Sequence, residues 1–210
     1  MPTTPAKATK PSTPAAKAAK PDAVGARFPR AVSLKGGKKV ELRLMGAGDL
    51  DRMLSFAHGL PADDLLFLRR NIADADAVKE WIADIGVGHS FTVLAIEGDA
   101  IAGYGSLHLN PASWMRHIGE IRMLAGVPYR GGGLGRALAS EIYAVAGLMG
   151  LRKLTAQMTL DQAGARATFE RLGFKPEALL TDWVMAHDGR TRDLLVMAYD
   201  LEGLTDTVAV

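Results

Sequence analysis

Apolar residues recur along the chain with two periods, which predict strands and helices in turn. The strand pattern, seen first in KVELRLM at residues 39–45, recurs at 90–109 (a hairpin turning at Glu97-Gly98-Asp99), 117–126, 152–159 and 178–200 (a hairpin turning at 187–190). Helical spacing occurs at 46–60, 73–86, 134–149 and 161–173. Asp49 marks the start of the first helix, and Gly86, Gly150 and Gly173 mark the ends of the others. The order β-α-α-β-β-β-α-β-α-β-β predicts one α/β domain whose mixed sheet has helices on both faces.

The first residues of the chain lack this patterning. Residues 1–21 are a low-complexity run of Pro, Ala, Lys and Thr without a large apolar side chain, which cannot bury enough surface to offset the entropy of ordering. We therefore predict a disordered basic tail over residues 1–38 and a folded domain over residues 39–210. The tail has neither the apolar core of a secretory signal nor the amphipathic pattern of a transit peptide.

Charge separates the same two parts of the chain. Residues 1–39 carry nine basic residues and one acidic residue, whereas residues 40–210 carry 16 basic and 22 acidic residues. A basic tail can contact nucleic acid or an acidic partner, and a solubilising linker is its simpler interpretation. An acidic domain and a tail without aromatic residues argue against a nucleic-acid-binding protein.

Composition excludes several kinds of chemistry. The chain has no cysteine, which rules out disulfides, thiolate nucleophiles and cysteine-ligated metals, and its five histidines are scattered, so we expect no metal site. No apolar run approaches the roughly 18 residues that a membrane-spanning helix needs. We expect a soluble, cytoplasmic protein that is a monomer or a homodimer; its edge strands and residues 201–210 are candidate dimer contacts.

A glycine cluster lies between a predicted strand and a predicted helix, in VPYRGGGLGRALASEI at residues 127–142. The first N–H groups of a helix have no internal partner and lie at the positive end of its dipole, so a glycine turn there can bind an anion. A nucleotide-binding P-loop would need Lys-Ser/Thr after Gly135, where Arg136-Ala137 stands instead. A dinucleotide fingerprint would need a third glycine at Arg136.

Two motifs resemble those of the GNAT acetyltransferase superfamily. RGGGLGRAL, from Arg130, matches the superfamily's pyrophosphate signature [RQ]-x-x-G-x-[GA], and ATFERLGFKPEA is similar to its second signature near the C-terminus. The resemblance covers about residues 40–200. It implies a GNAT-like mixed, mostly antiparallel sheet, acetyl-CoA as cosubstrate and acetyl transfer to a primary amine.

The resemblance also implies which residues bind acetyl-CoA. The pyrophosphate would lie on the backbone and side chains of Arg130, Gly131, Gly132, Gly133, Gly135 and Arg136. The strand end at Leu124 and Ala125 should separate from the next strand and offer backbone hydrogen bonds to the pantetheine arm and the thioester carbonyl. A backbone donor at that carbonyl would stabilise the oxyanion.

Glu120 is the candidate catalytic base. An ammonium group must lose a proton before its nitrogen can attack, and Glu120 lies mid-strand, where several superfamily members carry a catalytic glutamate. It would act through water. The alternative is an ordinary ion pair with Arg122, its same-face neighbour two residues on.

The general acid is less clear, because Phe169 stands where many members carry a tyrosine and Gln162 replaces a frequent asparagine. The leaving thiolate could depart as such or be protonated by water or by the product ammonium. Four other residues are weaker candidates: Tyr104, His108, Tyr129 and Tyr143.

The segment PADDLLFLRRNI, residues 61–72, is similar to the acceptor-side region of bacterial protein-lysine acetyltransferases that modify acyl-CoA synthetases. Asp63, Asp64 and Glu120 would favour a cationic amine, either a protein lysine or a small molecule. Alternatively, Asp63 and Asp64 only begin a helix. A second class of function is a sensor that binds acyl-CoA without transferring the acyl group.

Overall fold

One eight-stranded sheet organises the computed structural model, which describes residues 21–66, 68–110, 112–186 and 188–201. The strands are β1 (Arg30–Ser33), β2 (Lys39–Leu44), β3 (Ser90–Glu97), β4 (Ala100–Leu109), β5 (Ile118–Ala125), β6 (Lys153–Thr159), β7 (Lys175–Met185) and β8 (Thr191–Asp200). Their order is β1-β2-β3-β4-β5-β6-β8-β7. Every neighbouring pair is antiparallel except β5 and β6, which confirms the predicted mixed, mostly antiparallel sheet.

Helices cover the sheet on both faces, as predicted. They are α1 (Pro21–Gly25), α2 (Leu50–His58), α3 (Ala62–Leu65), α4 (Ala75–Gly86), α5 (Leu134–Leu148) and α6 (Ala163–Arg171). The buried stripe of α5 packs on β3, β4 and β5 in the larger apolar core, which α6 joins through Phe169. A second core lies between α2, α4 and the opposite face of the sheet, where Trp81 packs edge-on against Tyr104.

Strand alternation assigns the polar side chains to one face. On β4, Gly105 lies against Ile142 of α5, whereas Tyr104 lies on the α4 side. Successive side chains of a strand point to opposite faces, so His108 shares the face of Tyr104. His108 pairs in register with Glu120 of β5, which therefore projects from this same α4 face.

The β5–β6 pairing stops partway along both strands. Residues 118–120 pair with residues 153–155, yet β5 continues to Ala125 and β6 to Thr159. The two strands therefore separate after Glu120, as predicted for the strand end at Leu124 and Ala125. This separation leaves a gap within the sheet.

The predicted tail boundary at residue 38 is wrong. Residues 21–38 include α1 and β1, and Val24 is fully buried. Arg27 and Arg30 reach the buried Glu141 of α5 at 2.9 and 2.5 Å. These long-range contacts order a segment whose local sequence has little regular pattern. Residues 1–20 of the predicted tail, and residues 202–210 of the predicted dimer contact, lie outside the described residues.

The Glu141 ion pairs generate a stability prediction. The variant Glu141→Gln should lower the free energy of unfolding by about 1–3 kcal/mol, because the buried side chain at this position loses its ion pairs with both Arg27 and Arg30. Chemical denaturation measures this. The control Glu170→Gln removes the Arg166 pair on the exposed side of α6 and should change stability by less than about 0.5 kcal/mol. Equal stability of the two variants would show that the N-terminal segment is not held through Glu141.

Candidate active site

The glycine turn leads from β5 into α5 through left-handed backbone. Gly131 has a φ of 73° and Gly133 has a φ of 94°. Residues with a Cβ rarely adopt these positive φ values. Gly133 is the N-cap of α5 and has no side chain with which to cap it. The turn therefore presents bare backbone at the start of the helix.

The N–H groups at this turn are available to a ligand. The first backbone hydrogen bond of α5 runs from Ala137 N–H to the Gly133 carbonyl at 3.1 Å. In the described backbone, no N–H group of residues 131–136 has an acceptor of its own. These donors lie at the positive end of the helix dipole, and the exposed Arg136 adds charge. These donors can bind an anion, and the assignment of that anion as the pyrophosphate of a coenzyme A thioester stays a prediction.

Arg130 binds two other parts of the chain at the glycine turn. Its Nε donates to the carbonyl of Ala125 at 3.0 Å, and its Nη2 binds the carboxylate of Asp64. Asp64 therefore lies against the glycine turn, while Asp63 is exposed. The interpretation that these two carboxylates attract a cationic acceptor is not supported, because Asp64 is already paired.

The β1–β2 connection packs on the glycine turn. Lys35 N–H donates to the Gly132 carbonyl at 2.9 Å, and Lys38 Nζ donates to the Pro128 carbonyl at 3.2 Å. Lys38 also lies 4.3 Å above the ring of Tyr129. Sequence reasoning missed these two lysines because it placed them in the tail. The available signal was Gly36-Gly37 between two short alternating apolar runs, a hairpin pattern.

Glu120 is held by two arginines. Its Oε1 accepts from Arg122 Nε at 2.6 Å, and its Oε2 accepts from Arg69 Nη1 at 3.0 Å. The pair with Arg122 was the predicted alternative to the catalytic role, and it is present. Arg69 was missed; the available signal was an arginine doublet, Arg69-Arg70, at the end of the apolar run LLFL. The side chain of Glu120 is 17% exposed, so it is only partly buried.

Arg122 reaches across the gap between β5 and β6. Its Nη1 donates to the Gln157 carbonyl at 3.0 Å and its Nη2 donates to Oε1 of the same glutamine at 3.3 Å. The carbonyl would belong to the sheet ladder if the strands stayed paired. Arg122 therefore lies where the strands part.

His108 lies opposite Glu120 on β4 and is buried. Its Nε2 is 2.9 Å from Ser106 Oγ. Burial, assisted by the charges of Arg69, Arg122 and Arg70 and opposed by that of Glu120, lowers the pKa of His108 to about 4. The imidazole is neutral at neutral pH.

The second GNAT-like motif supplies no tyrosine hydroxyl. Phe169 is buried and packs edge-on against Phe174, with ring centroids 5.0 Å apart. Gln162 Oε1 accepts from Thr159 N–H at 3.0 Å and so ties the end of β6 to α6. Phe169, which stands where the family resemblance leads us to expect a tyrosine, therefore packs in the core.

The tyrosine hydroxyls have structural partners or are buried. The hydroxyl of Tyr129 donates to Glu97 at 2.6 Å, a bond that raises the pKa of Tyr129 to about 12. The hydroxyl of Tyr143 donates to the Leu172 carbonyl at 3.0 Å, and burial raises its pKa. Burial also raises the pKa of Tyr104, which lines a small cleft with Ser106, His108 and three arginines.

Neither a metal cluster nor a membrane helix is found in the part of the chain that the structure describes. No group of three or more His, Asp or Glu there could hold a metal ion. No helix within the same residues is long and apolar enough to cross a bilayer.

Solved structures with the same architecture are numerous. The GNAT domain of PAT from S. lividans is 19% identical, with a TM-score of 0.69, over 83% of this chain and 98% of that one. The structure of yncA from Salmonella typhimurium, solved with its cofactor acetyl-CoA, is 20% identical, with a TM-score of 0.68, over 81% and 99%. Ribosomal-protein-alanine N-acetyltransferase from Brucella melitensis is 22% identical, with a TM-score of 0.66, over 76% and 98%. These likenesses establish the fold.

Sequence comparison identifies the family. No curated protein sequence is significantly similar to the chain. The sequence model of the acetyltransferase (GNAT) family matches residues 62–174, more than half of the chain, from α3 through the glycine turn and into the second GNAT-like motif. With the family's glycine turn, strand separation and sheet all in place, the chain belongs to the GNAT family and is an acetyl-CoA-dependent N-acetyltransferase.

Proposed function

We propose that the chain acetylates a primary amine by direct attack, with Glu120 as the base. The observation that carries this is the position of Glu120 on β5. It is the last residue of β5 that pairs with β6, so the carboxylate lies where the gap opens. The strand then runs along the gap to the glycine turn, so the base and the cosubstrate site share one continuous element.

The residues around the gap would bind the donor. Acetyl-CoA supplies the acetyl group as a thioester. The turn at residues 130–136 would bind its pyrophosphate through backbone N–H groups and the arginine side chains. Beyond Glu120, β5 no longer pairs with β6, so backbone groups at Leu124 and Ala125 would bind the pantetheine arm. For Ala125 this requires Arg130 to release the carbonyl that it holds.

Glu120 would take the proton that the acceptor must lose. The ammonium proton passes to the carboxylate, directly or through one water, and the nitrogen bonds to the acetyl carbon as the carbon–sulfur bond breaks. Coenzyme A leaves as the thiolate. Because Phe169 has no proton to give, the thiolate would take one from water or from the product ammonium. His108 is the competing base, but it is buried and its Nε2 lies 2.9 Å from Ser106 Oγ, which limits its contact with an acceptor.

The acceptor that the sequence resemblance favours is a protein lysine, for example on an acyl-CoA synthetase. A structural relative of the chain is the GNAT domain of PAT. Small-molecule amines and amino acids are the second candidate, in keeping with the arginines that line the cleft beside Glu120. A sensor that binds acyl-CoA without turnover would not require the carboxylate of Glu120 where β5 and β6 separate.

The first test is the variant Glu120→Gln. We expect kcat to fall about 10²–10⁴-fold at neutral pH, because the amide cannot accept a proton, and to recover in part at high pH as the acceptor deprotonates itself. Thiol release from acetyl-CoA measures turnover against lysine-bearing proteins, including acyl-CoA synthetases, and against small amines. The control is Glu41→Gln, an exposed strand carboxylate on β2, which should keep full activity. Acetyl-CoA binding without thiol release from any acceptor would favour the sensor.

A second test concerns the glycine turn. The variant Gly133→Ala should raise the Kd for acetyl-CoA about tenfold, because a Cβ disfavours the left-handed backbone by about 1–2 kcal/mol. Calorimetric titration measures the Kd. The control is Gly147→Ala, an exposed helical position of α5 where a Cβ would meet no atom within 4 Å. It should bind acetyl-CoA normally, and an unchanged Kd for Gly133→Ala would remove the turn from the binding site.

A third test concerns the protonation state of His108. Its pKa is about 4 in the folded chain and near the ordinary 6.5 in the unfolded chain. Between these pH values the unfolded chain binds the extra proton, so stability falls as the pH falls from 6.5 towards 4. The free energy of unfolding should therefore fall for wild type as the pH falls over this range, and it should fall less for His108→Gln, which cannot take up this proton. Parallel pH profiles would mean that His108 is not buried in its neutral form.

A further inference from the structure

The two arginines that bind Glu120 are held very differently. Arg122 is 17% exposed and also donates twice to Gln157, so it is fixed across the gap. Arg69 is 48% exposed and lies in the connection between α3 and α4. Within the described part of the chain, the only polar contact of Arg69 is Oε2 of Glu120. Oε2 is therefore the oxygen that can be released without disturbing the sheet.

Release of Glu120 Oε2 from Arg69 leaves the guanidinium of Arg69 without its opposite charge. Glu120 must expose Oε2 before it can accept a proton from an amine, since Oε1 stays with Arg122. An acceptor with only a positive charge would displace Arg69 and leave the guanidinium beside an ammonium group, which is unfavourable. An acceptor that also carries a carboxylate would offer Arg69 a new anion in exchange. Each charged group at the site would then keep an opposite charge beside it.

The cleft beside Glu120 has the matching polarity. Arg69, Arg70 and Arg122 line it together with His108, which is neutral and adds no charge. The terminal nitrogens of Arg70 bind Glu80 and Asp84 of α4, so this guanidinium is held in place from two sides. This leaves Arg69 as the guanidinium that can turn from Glu120 towards a ligand.

We infer that the acceptor is a primary amine that carries a carboxylate a few bonds from its nitrogen, with Arg69 binding that carboxylate. Arg69 Nη1 lies 3.0 Å from Glu120 Oε2, so a ligand that engages both must hold its two charged groups close together, as a free amino acid does. Guanidinium and carboxylate form paired hydrogen bonds of high directional specificity. A lysine side chain within a protein lacks a carboxylate at that distance. The inference rests on the proposed function.

The test compares free amino acids with their carboxamides as acceptors, using thiol release from acetyl-CoA. With wild-type protein, the amino acids that react should have kcat/KM at least tenfold above that of the matching amides. In Arg69→Gln this preference should disappear through a raised KM for the amino acid, while the amides and the KM for acetyl-CoA change little. Arg69→Lys should restore part of the preference, because an ammonium retains the charge without the paired geometry.

A matched control is Arg52→Gln, an exposed arginine of α2 that is 42% exposed and binds Asp99 and Asp49 away from the cleft. It should keep the wild-type preference. Equal turnover of amides and amino acids, or an equal loss for both in Arg69→Gln, overturns the role of Arg69. Turnover confined to protein lysines overturns the acceptor class but leaves the acetyltransferase with Glu120 intact. Absence of turnover with every acceptor is a failure of the proposed function itself.

Discussion

The site depends on one interruption in the sheet: β5 and β6 pair over three residues and then separate. Backbone donors and acceptors within a sheet are normally used by the neighbouring strand, and an unpaired edge binds other extended groups. Here the unpaired edges face each other inside the sheet, because β4 and β8 continue it on both sides. Under the proposed function, a linear chain such as the pantetheine arm would lie in this slot, and the glycine turn at the end of β5 would bind the charged end of the same ligand.

The second organising feature is the way charge is distributed around the slot. Glu120 and Arg122 lie on the same face of β5, and Gln157 joins them to β6, so a polar network closes the narrow end of the gap. At the wide end, Arg130 joins the strand to Asp64. Both networks pair opposite charges, which lets ionised groups lie in a partly buried site without a large desolvation cost. They also keep Glu120 and Arg130 in contact with partners that a ligand must replace.

Local sequence was a good guide to elements and to the glycine turn, and a poor guide to contacts between distant segments. Patterns that repeat within a few residues predict the apolar stripe of α5 and the hairpin of β3 and β4. They also predict the ion pair of Glu120 with Arg122, because these two residues are neighbours on one strand. The partners Arg69 and Asp64 lie 51 and 66 residues from Glu120 and Arg130, and no local pattern relates them. Residues 21–38 were misassigned for the same reason, because Arg27 and Arg30 are ordered by Glu141, more than 100 residues away.

The length of β5 also sets the distance between Glu120 and the glycine turn. Glu120 and Ala125 are five residues apart on one extended strand, which at about 3.3 Å per residue separates them by roughly 16 Å. No hinge or domain boundary lies between them, so the reach from the carboxylate to the glycine turn is set by peptide geometry alone. Inserting or deleting one residue in β5 would change that reach by only one step, yet it would also turn Glu120 to the opposite face of the sheet. A change in the length of β5 therefore alters both the distance from Glu120 to the glycine turn and the face on which the carboxylate lies. Side chains of β5 can be substituted far more readily than residues can be inserted or deleted.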